Sequence, residues 1–516
     1  MHHSDSATVT TVDTLAKLLD VCGELRASEQ VDERAVTGCS FDSRAVSAGD
    51  VFFCKGAAFK PAFLSMALDA GAVAFVCEES LVESLEPLAQ ESGAAMLVVD
   101  SVRTAMALLP PEVYDRPDHD VKIVGITGTK GKTTAAFMLQ SIIKAAGESC
   151  GMIGSVSTEC YESTNTTPEA PEVWRHIANC RTSGRQSMVM EVSSQALKYQ
   201  RVENLPFDVA CFLNIGRDHI SPIEHPTFED YFESKLRIFD QAKTAVVNLG
   251  TEEVDRVLEA ASTAERLVTV GVEHPEASLW ASDVRMVGFS IEFNLHGLCA
   301  DESEAGEKVL LGIAGDFNVE NALVAIAAAR EIGIGIDAIK KGLSKLRVPG
   351  RMEVVESKDG RVICVVDYAH NQLSFRSLFS SVKRAFPASP VIAVFGAAGG
   401  KAQERREQLP REAAPYSDLM IFANEDPAHE DPMKVCRELA EHVPDDTPNK
   451  IILDREAAVH AAFKAAREEY VNPDAPTIVL LLAKGDEELM HVGDEFVPVE
   501  SDLSLANRLI DVTQFD

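Results

Sequence analysis

No two cysteines in this sequence are spaced as C-x-x-C, and the 11 present lie scattered, as at Cys22, Cys54, Cys77, Cys211 and Cys364. That excludes a zinc ribbon or a thioredoxin-type redox site and leaves the thiols as small core residues of a reduced compartment. Long apolar runs are missing too. None approaches the roughly 18 residues of a membrane span, and the first residues carry no basic-then-apolar leader. Positive charge is scarce, with 48 Lys and Arg against 81 Asp and Glu and a formal net charge of −33. Such an excess argues against general binding to nucleic acid or to an anionic membrane. Short-period repeats and low-complexity tails are also lacking. The expectation is a cytoplasmic protein working on small molecules, monomeric because nothing in the sequence argues for an oligomer. An anionic ligand would be repelled at long range and has to be met by local positive groups.

What is present is a phosphate-binding loop. Gly125-Ile126-Thr127-Gly128-Thr129-Lys130-Gly131-Lys132-Thr133-Thr134 follows the apolar run that starts at Val121 and opens a helical pattern over Ala135 to Ala146. Glycines let the backbone curl so that N–H groups converge on phosphate oxygens. The helix N-terminus adds partial positive charge, Lys132 adds a whole one, and the Thr133 hydroxyl suits Mg²⁺. Gly128, Thr129, Lys130, Gly131, Lys132, Thr133 and Thr134 are therefore the candidate ATP-binding residues. The spacing departs from the common G-x4-G-K-[ST] form, since five residues separate Gly125 from Gly131.

Around this loop, apolar runs alternate with helix-length polar segments. Ser187 to Val192, Asp208 to Leu213 and Thr244 to Asn248 read as parallel strands, as do Val362 to Asp367, Pro390 to Phe395, Asp418 to Ala423, Lys450 to Leu453 and Thr477 to Leu482. Earlier, Asp50 to Cys54 and Ala72 to Val76 flank a helical stretch. Pro110-Pro111 through Asp120 reads as a linker, and the helical pattern from Asn318 to Leu346 stops at Pro349-Gly350. A length of 516 residues suits about three domains of roughly 150 residues. The expected fold class is α/β in three domains: a smaller α/β domain over 1–116, a central phosphate-loop ATPase-like parallel sheet over 117–346, and a Rossmann-like domain over 347–516. Polar residues at the carboxyl ends of such strands are where ligands bind. Glu191, ending one strand, is a candidate metal ligand on that ground, because a triphosphate-bound metal needs a hard oxygen donor, and His219, following the next, is a second candidate.

These motifs stand in an order that resembles the Mur ligases of bacterial cell-wall synthesis. The resemblance rests on Thr127 to Thr134, Thr166-Thr167-Pro168, Met190-Glu191-Val192-Ser193-Ser194, and Asp218-His219 followed by Tyr231 and Lys235. It continues through Gly315-Asp316-Phe317-Asn318-Val319-Glu320-Asn321, Pro349-Gly350-Arg351-Met352-Glu353 and Asp367-Tyr368-Ala369-His370, so it spans essentially the whole chain. The resemblance implies an ATP- and Mg²⁺-dependent amide ligase of peptidoglycan precursor synthesis that activates a carboxylate as an acyl phosphate. It implies Lys132, Lys235 and His219 as catalytic residues, with Lys235 carbamylated to an N6-carboxylysine. Thr133, Glu191 and His219 would serve the metal, and Asn318, Asn321, Arg351 and Asp367 the nucleotide. Ser43, Thr166, Thr167, Ser193 and Arg201 would hold a UDP-sugar peptide.

Within that family, the third-residue ligases read their amino acid with the last domain, at the segment Asn424-Glu425-Asp426-Pro427-Ala428. Members that use meso-diaminopimelate carry an arginine there to grip its extra carboxylate. Here Glu425, Asp426, Pro427 and Ala428 stand in its place, Glu487 matches the family's substrate-side glutamate, and the resemblance implies L-lysine, with ornithine close behind. The departure of Lys484-Gly485-Asp486-Glu487 from Lys-Gly-His-Glu leaves meso-diaminopimelate open. A ligase like folylpolyglutamate synthetase and, in another class, an ATP-hydrolysing switch protein are the competing readings.

Overall fold

The computed structural model describes residues 10–20, 33–155, 166–217, 220, 224–287, 289–297, 306–348, 350–400, 402–444 and 446–512. Asp218, His219 and residues 221–223 lie outside the described residues, as does Pro349. The chain forms two compact units. The first comprises residues 1–280, 296–302 and 320–342, and the second 281–295, 303–319 and 343–516.

Within the first unit, β1 (Gly38–Ser40), β2 (Asp50–Phe53), β3 (Ala74–Glu78) and β4 (Ala95–Val99) form a parallel sheet in sequence order. Val51, Phe53 and Val76 point to one face, where the Val12–Asp20 and Val102–Val113 helices pack, while Phe52 and Phe75 fill the other. The alternation is that of strands buried on both sides. Pro110 and Pro111, expected in a linker, are instead buried in the last turn of the Val102–Val113 helix. Apolar contact outweighs the lost hydrogen bonds there, and the chain turns only at Asp115 and Arg116, both in the left-handed region. The boundary expected at 116–117 falls between the two sheets of this unit.

The second sheet of the first unit holds β5 (Lys122–Thr127), β6 (Cys150–Ile153), β7 (Ser187–Glu191), β8 (Phe207–Phe212), β9 (Ala242–Asn248) and β10 (Arg266–Val272), all parallel, in the order β10-β9-β8-β5-β7-β6. The chain leaves β5 for the edge strand β6, steps back to β7 beside β5 and crosses to the other side of β5 at β8, so β5 lies at the point where the order reverses. In an open α/β sheet this opens a crevice at the carboxyl ends, and the phosphate loop occupies it. Trp174, Phe207, Phe212, Phe232 and Phe239 form the core on one face. The helical pattern expected over Asn318 to Leu346 is two helices, Phe317–Glu331 and Ile336–Ser344, broken at Gly333, whose φ is 101°.

In the second unit, β11 (Leu279–Val287) enters from the first, and with β12 (Ser290–His296) and β13 (Glu307–Leu311) forms an antiparallel meander that the sequence reading did not anticipate. A further sheet follows: β14 (Glu353–Glu356), β15 (Val362–Asp367), β16 (Val391–Phe395), β17 (Leu419–Phe422), β18 (Asn449–Ile451) and β19 (Thr477–Leu482), in the order β14-β15-β19-β16-β17-β18. Only β14 is antiparallel. A hairpin, β20 (Leu489–Val492) and β21 (Glu495–Pro498), completes the unit. All eight described cysteines are free and buried, in keeping with a core role.

Candidate active site

The phosphate loop leaves β5 at Thr127 and enters the Lys132–Ala145 helix, whose first-turn N–H groups have no partner within the helix and so face an incoming anion. Gly131 has φ 87°, and a Cβ there would stand 2.3 Å from the Asn321 Oδ1. That contact places Asn321 beside the loop. Asn214, after β8, fixes the loop's other side. Its carbonyl accepts from Thr129 N at 2.9 Å, and its Oδ1 accepts from Lys130 N at 2.9 Å.

Glu191, ending β7 and 1% exposed, brings the motifs together. The Thr133 hydroxyl lies 3.0 Å from both of its oxygens. Ser155 donates to Oε1 from its N–H at 3.0 Å and from its hydroxyl at 3.1 Å, and the two hydroxyls are 2.9 Å apart. One carboxylate and two hydroxyls form an oxygen-rich set of the kind Mg²⁺ takes with few protein ligands and retained waters. Ser155 was missed from sequence because a lone serine carries no signal; its position just past the end of β6 is the only hint.

Lys132 and Lys235 meet on one acceptor. The Gly128 carbonyl receives the Lys132 ammonium at 2.9 Å and the Lys235 ammonium at 2.9 Å, and Lys132 also donates to the Thr129 carbonyl at 3.3 Å. Lys235, 1% exposed, sits over the Tyr231 ring at 4.8 Å. Its helix, Phe228–Leu236, is capped by the Thr227 hydroxyl and pinned to the loop by a 3.0 Å contact between the Tyr231 and Thr129 hydroxyls. His225 strengthens this placement, with Nε2 at 2.9 Å from the Ser194 Oγ and Nδ1 at 2.6 Å from Asp230. His219, expected beside the metal, lies outside the described residues.

Thr167, Ser193 and Arg201 also converge. The Thr167 hydroxyl donates to the Glu191 carbonyl at 2.9 Å and accepts from Ser193 N at 3.0 Å, while Arg201 donates to the Thr167 carbonyl at 3.0 Å. Thr166 precedes them, half-buried, and Ser43 lies in the turn after β1. Glu169, which the sequence reading passed over, gathers three cations from both sheets of the unit. Arg201 lies at 3.0 Å, Lys55 at 2.8 Å and Arg103 at 3.8 Å. Burial holds Lys55 below the usual lysine value, Glu169 pulling it back and the two arginines pressing it further down.

The remaining residues belong to the second unit. The Asn318 amide donates to the Ala314 carbonyl at 2.6 Å. Arg351 lies over the Tyr368 ring at 4.6 Å, and Asp367, ending β15, accepts from Met352 N at 2.8 Å and Ala369 N at 2.7 Å. Burial raises the Asp367 carboxyl despite Arg351 nearby. At the ends of β17 and β19, the Lys484 ammonium reaches Asp426 at 2.9 Å and Glu487 at 2.6 Å. Pro427 leads to Ala428, whose φ is 49° and whose N–H donates to the His491 carbonyl at 3.0 Å.

Glu425 faces inward, and its Oε2 meets no donor among the described residues. Burial raises its carboxyl to about 7, with Arg455 opposing and Asp426 adding to the rise. The folded protein thus holds this proton from the ordinary 4.5 up to about 7, while the unfolded chain has lost it. Stability contributed by this group is fully present below 4.5 and falls as pH rises to about 7. Glu425→Gln is expected to gain stability relative to the parent over that interval, by about 3 kcal/mol above pH 7. Urea melts of both proteins at pH 5 and pH 8 check this; a difference independent of pH would contradict it.

Known proteins match this chain over most of its length. Residues 126–329 match the family described as the Mur ligase middle domain, and 350–485 the Mur ligase glutamate ligase domain. A UDP-N-acetylmuramoyl-L-alanyl-D-glutamate–L-lysine ligase of Enterococcus faecalis is 33% identical over 492 residues, covering 94% of each chain. One of Streptococcus sanguinis is 34% identical, over 91% of this chain and 92% of its own. Among solved structures, a UDP-N-acetylmuramoyl-L-alanyl-D-glutamate–2,6-diaminopimelate ligase shares the fold at a TM-score of 0.68 and 23% identity, over 97% of this chain and 99% of that one. A Mycobacterium tuberculosis folylpolyglutamate synthase aligns at 0.59 and 16% identity, over 74% of this chain and 92% of that one. No helix among the described residues is long and apolar enough to cross a membrane. The order of motifs, the carboxylate and hydroxyls gathered at the phosphate loop, and the extent of these matches lead to one family: the chain belongs to the Mur ligases, ATP- and Mg²⁺-dependent enzymes that form amide bonds in peptidoglycan precursor synthesis.

Proposed function

We propose that this ligase joins L-lysine to the γ-carboxylate of the D-glutamyl residue in UDP-N-acetylmuramoyl-L-alanyl-D-glutamate, acting as a cytoplasmic monomer. The observation that carries the choice of amine is the pair Asp426 and Glu487, whose carboxylates share a buried ammonium beside a segment, Asn424 to Pro432, that contains no arginine. Surroundings that favour ammonium suit a side chain ending in one and disfavour the extra carboxylate of diaminopimelate. The names of the Enterococcus and Streptococcus relatives support the same choice.

The chemistry proceeds by activation and capture. A γ-carboxylate oxygen attacks the terminal phosphorus of ATP, the bond to the bridging oxygen breaks, and ADP leaves. The neutral α-amine of lysine then attacks the acyl carbon. The tetrahedral adduct expels phosphate, the nitrogen gives up a proton, and an amide remains. Because one anion must approach another, the site's task is to cancel repulsion as charge develops. The loop and helix N-terminus receive the phosphates, with Lys132 at the terminal group and Asn321 beside the loop. Thr133, Ser155 and Glu191 would hold Mg²⁺, and the family motif assigns His219 to a metal as well; the ion, when bound, neutralises the transferring phosphoryl group. Thr166, Thr167, Ser193 and Arg201 orient the dipeptide, and Ser43 serves the uridine end. Asn318, Arg351 and Asp367 serve the nucleotide.

Lysine, ornithine and meso-diaminopimelate offered separately with ATP and the UDP-sugar dipeptide provide the test. Phosphate release is expected to be at least about tenfold more efficient with lysine than with diaminopimelate, the scale of one unmatched charge. Preference for diaminopimelate would overturn the proposal.

A further inference from the structure

Lys484 lies two residues beyond the end of β19 and turns its side chain inward, 2% exposed. Its ammonium has three N–H groups and meets three acceptors: the Asp426 Oδ1 at 2.9 Å, the Glu487 Oε2 at 2.6 Å and the Leu489 carbonyl at 2.7 Å. Asp426 Oδ1 also accepts from His491 N at 3.0 Å, and burial together with the charge of Glu487 holds the Tyr368 hydroxyl above its ordinary value. Two carboxylates drawn this close repel each other unless a cation stands between them. Burial pulls the Lys484 ammonium towards neutrality, but Glu487 and then Asp426 more than offset it, so it remains charged.

We infer that Lys484 is a positioning residue for amino-acid choice: by bridging Asp426 and Glu487 it fixes their separation and reduces their joint charge from two to one, which matches the single distal ammonium of the incoming amino acid. This deepens the lysine reading and rests on it. Lys484 acts through the two carboxylates and has no spare N–H with which to hold the amino acid itself. A pair held in this way discriminates by distance as well as by sign, because its rim cannot follow a shorter side chain.

The test is a double-mutant cycle in the full-length enzyme, with KM measured for amino acid, ATP and UDP-sugar dipeptide by phosphate release. Lys484→Met keeps the apolar stem and removes the charge. It is expected to raise the amino-acid KM at least about tenfold, the scale seen when one partner of a buried charge pair is removed, and to leave the other two KM values within about twofold. Asp426→Asn removes the repulsion that Lys484 screens. In that background, Lys484→Met is expected to change the amino-acid KM by less than about threefold. An equal effect of Lys484→Met in both backgrounds, or parallel rises in all three KM values, would overturn the inference and leave Lys484 a folding residue only. The cycle is run with whichever amino acid the parent enzyme prefers, so a preference for diaminopimelate would refute the lysine reading while still deciding the role of Lys484.

Discussion

Lys235→Ala is expected to lower turnover by at least about 10³-fold, with added bicarbonate or a small carboxylate restoring part of it. The reason lies in the two ammonium groups that share the Gly128 carbonyl. Like charges brought this close, in a site that must also bind a metal, repel strongly where water is excluded. Lys132, proposed to meet the terminal phosphate, has to stay cationic. The conflict is relieved if the neutral Lys235 amine adds CO₂: a nitrogen–carbon bond forms, a proton is released, and a cation is replaced by an anion that favours a second metal ion. Because Lys235 is buried, Lys235→Met, which retains the volume, separates lost charge from a lost contact. Both variants are expected to bind ADP normally and fail in kcat. Full activity in either variant, or a loss explained by unfolding in both, would sink the carbamate proposal.

The second large effect concerns Glu191. Glu191→Gln preserves the shape that holds Thr133 and Ser155, all within 3.1 Å, yet removes the charge that would hold the ion. A drop of about 10² to 10³-fold in kcat is expected, the range for losing one preorganised electrostatic group, together with a rightward shift in the Mg²⁺ concentration giving half-maximal rate. The Mg²⁺ titration is the sharper readout. If half-saturation were unchanged in Glu191→Gln, the carboxylate would be no more than the buried acceptor that aligns two hydroxyls.

Strand ends made most of this site readable in advance. The Val121-to-Thr127 run and the glycines after it announced a loop, and the Glu191 motif announced a carboxylate, because each combines a local period with an abrupt change of residue type. Ser155, Lys55, Arg103 and Glu169 carry no such mark. They matter through partners more than 20 residues distant, which no local pattern encodes. Pro110-Pro111 misled for the opposite reason: the local rule against proline in helices was correct, but burial of that turn overrode it. In β11 the exposed residues from Asp283 to Val287 blur the apolar signature, so the meander stayed hidden. The break at Gly333 was legible as a glycine, yet either continuing or breaking the helix suited the pattern.

Residues 320–342 belong to the first unit although the chain has passed through the second to reach them. Lys122 bonds the Ile332 carbonyl at 2.7 Å, Ser141 the Gly342 carbonyl at 2.8 Å, and Asn248 the Glu320 side chain at 3.1 Å. A ribosome that has released the phosphate loop and every parallel strand of its sheet has therefore not yet released what packs behind them. At roughly 5–20 residues per second, the stretch from the end of β10 at Val272 to Gly342 takes about 4 to 14 seconds. For that time the nascent unit waits with the flank of its Lys132–Ala145 helix around Ser141 and Ile142 uncovered, which makes the order of synthesis, and not only the final packing, a condition for building the ATP site.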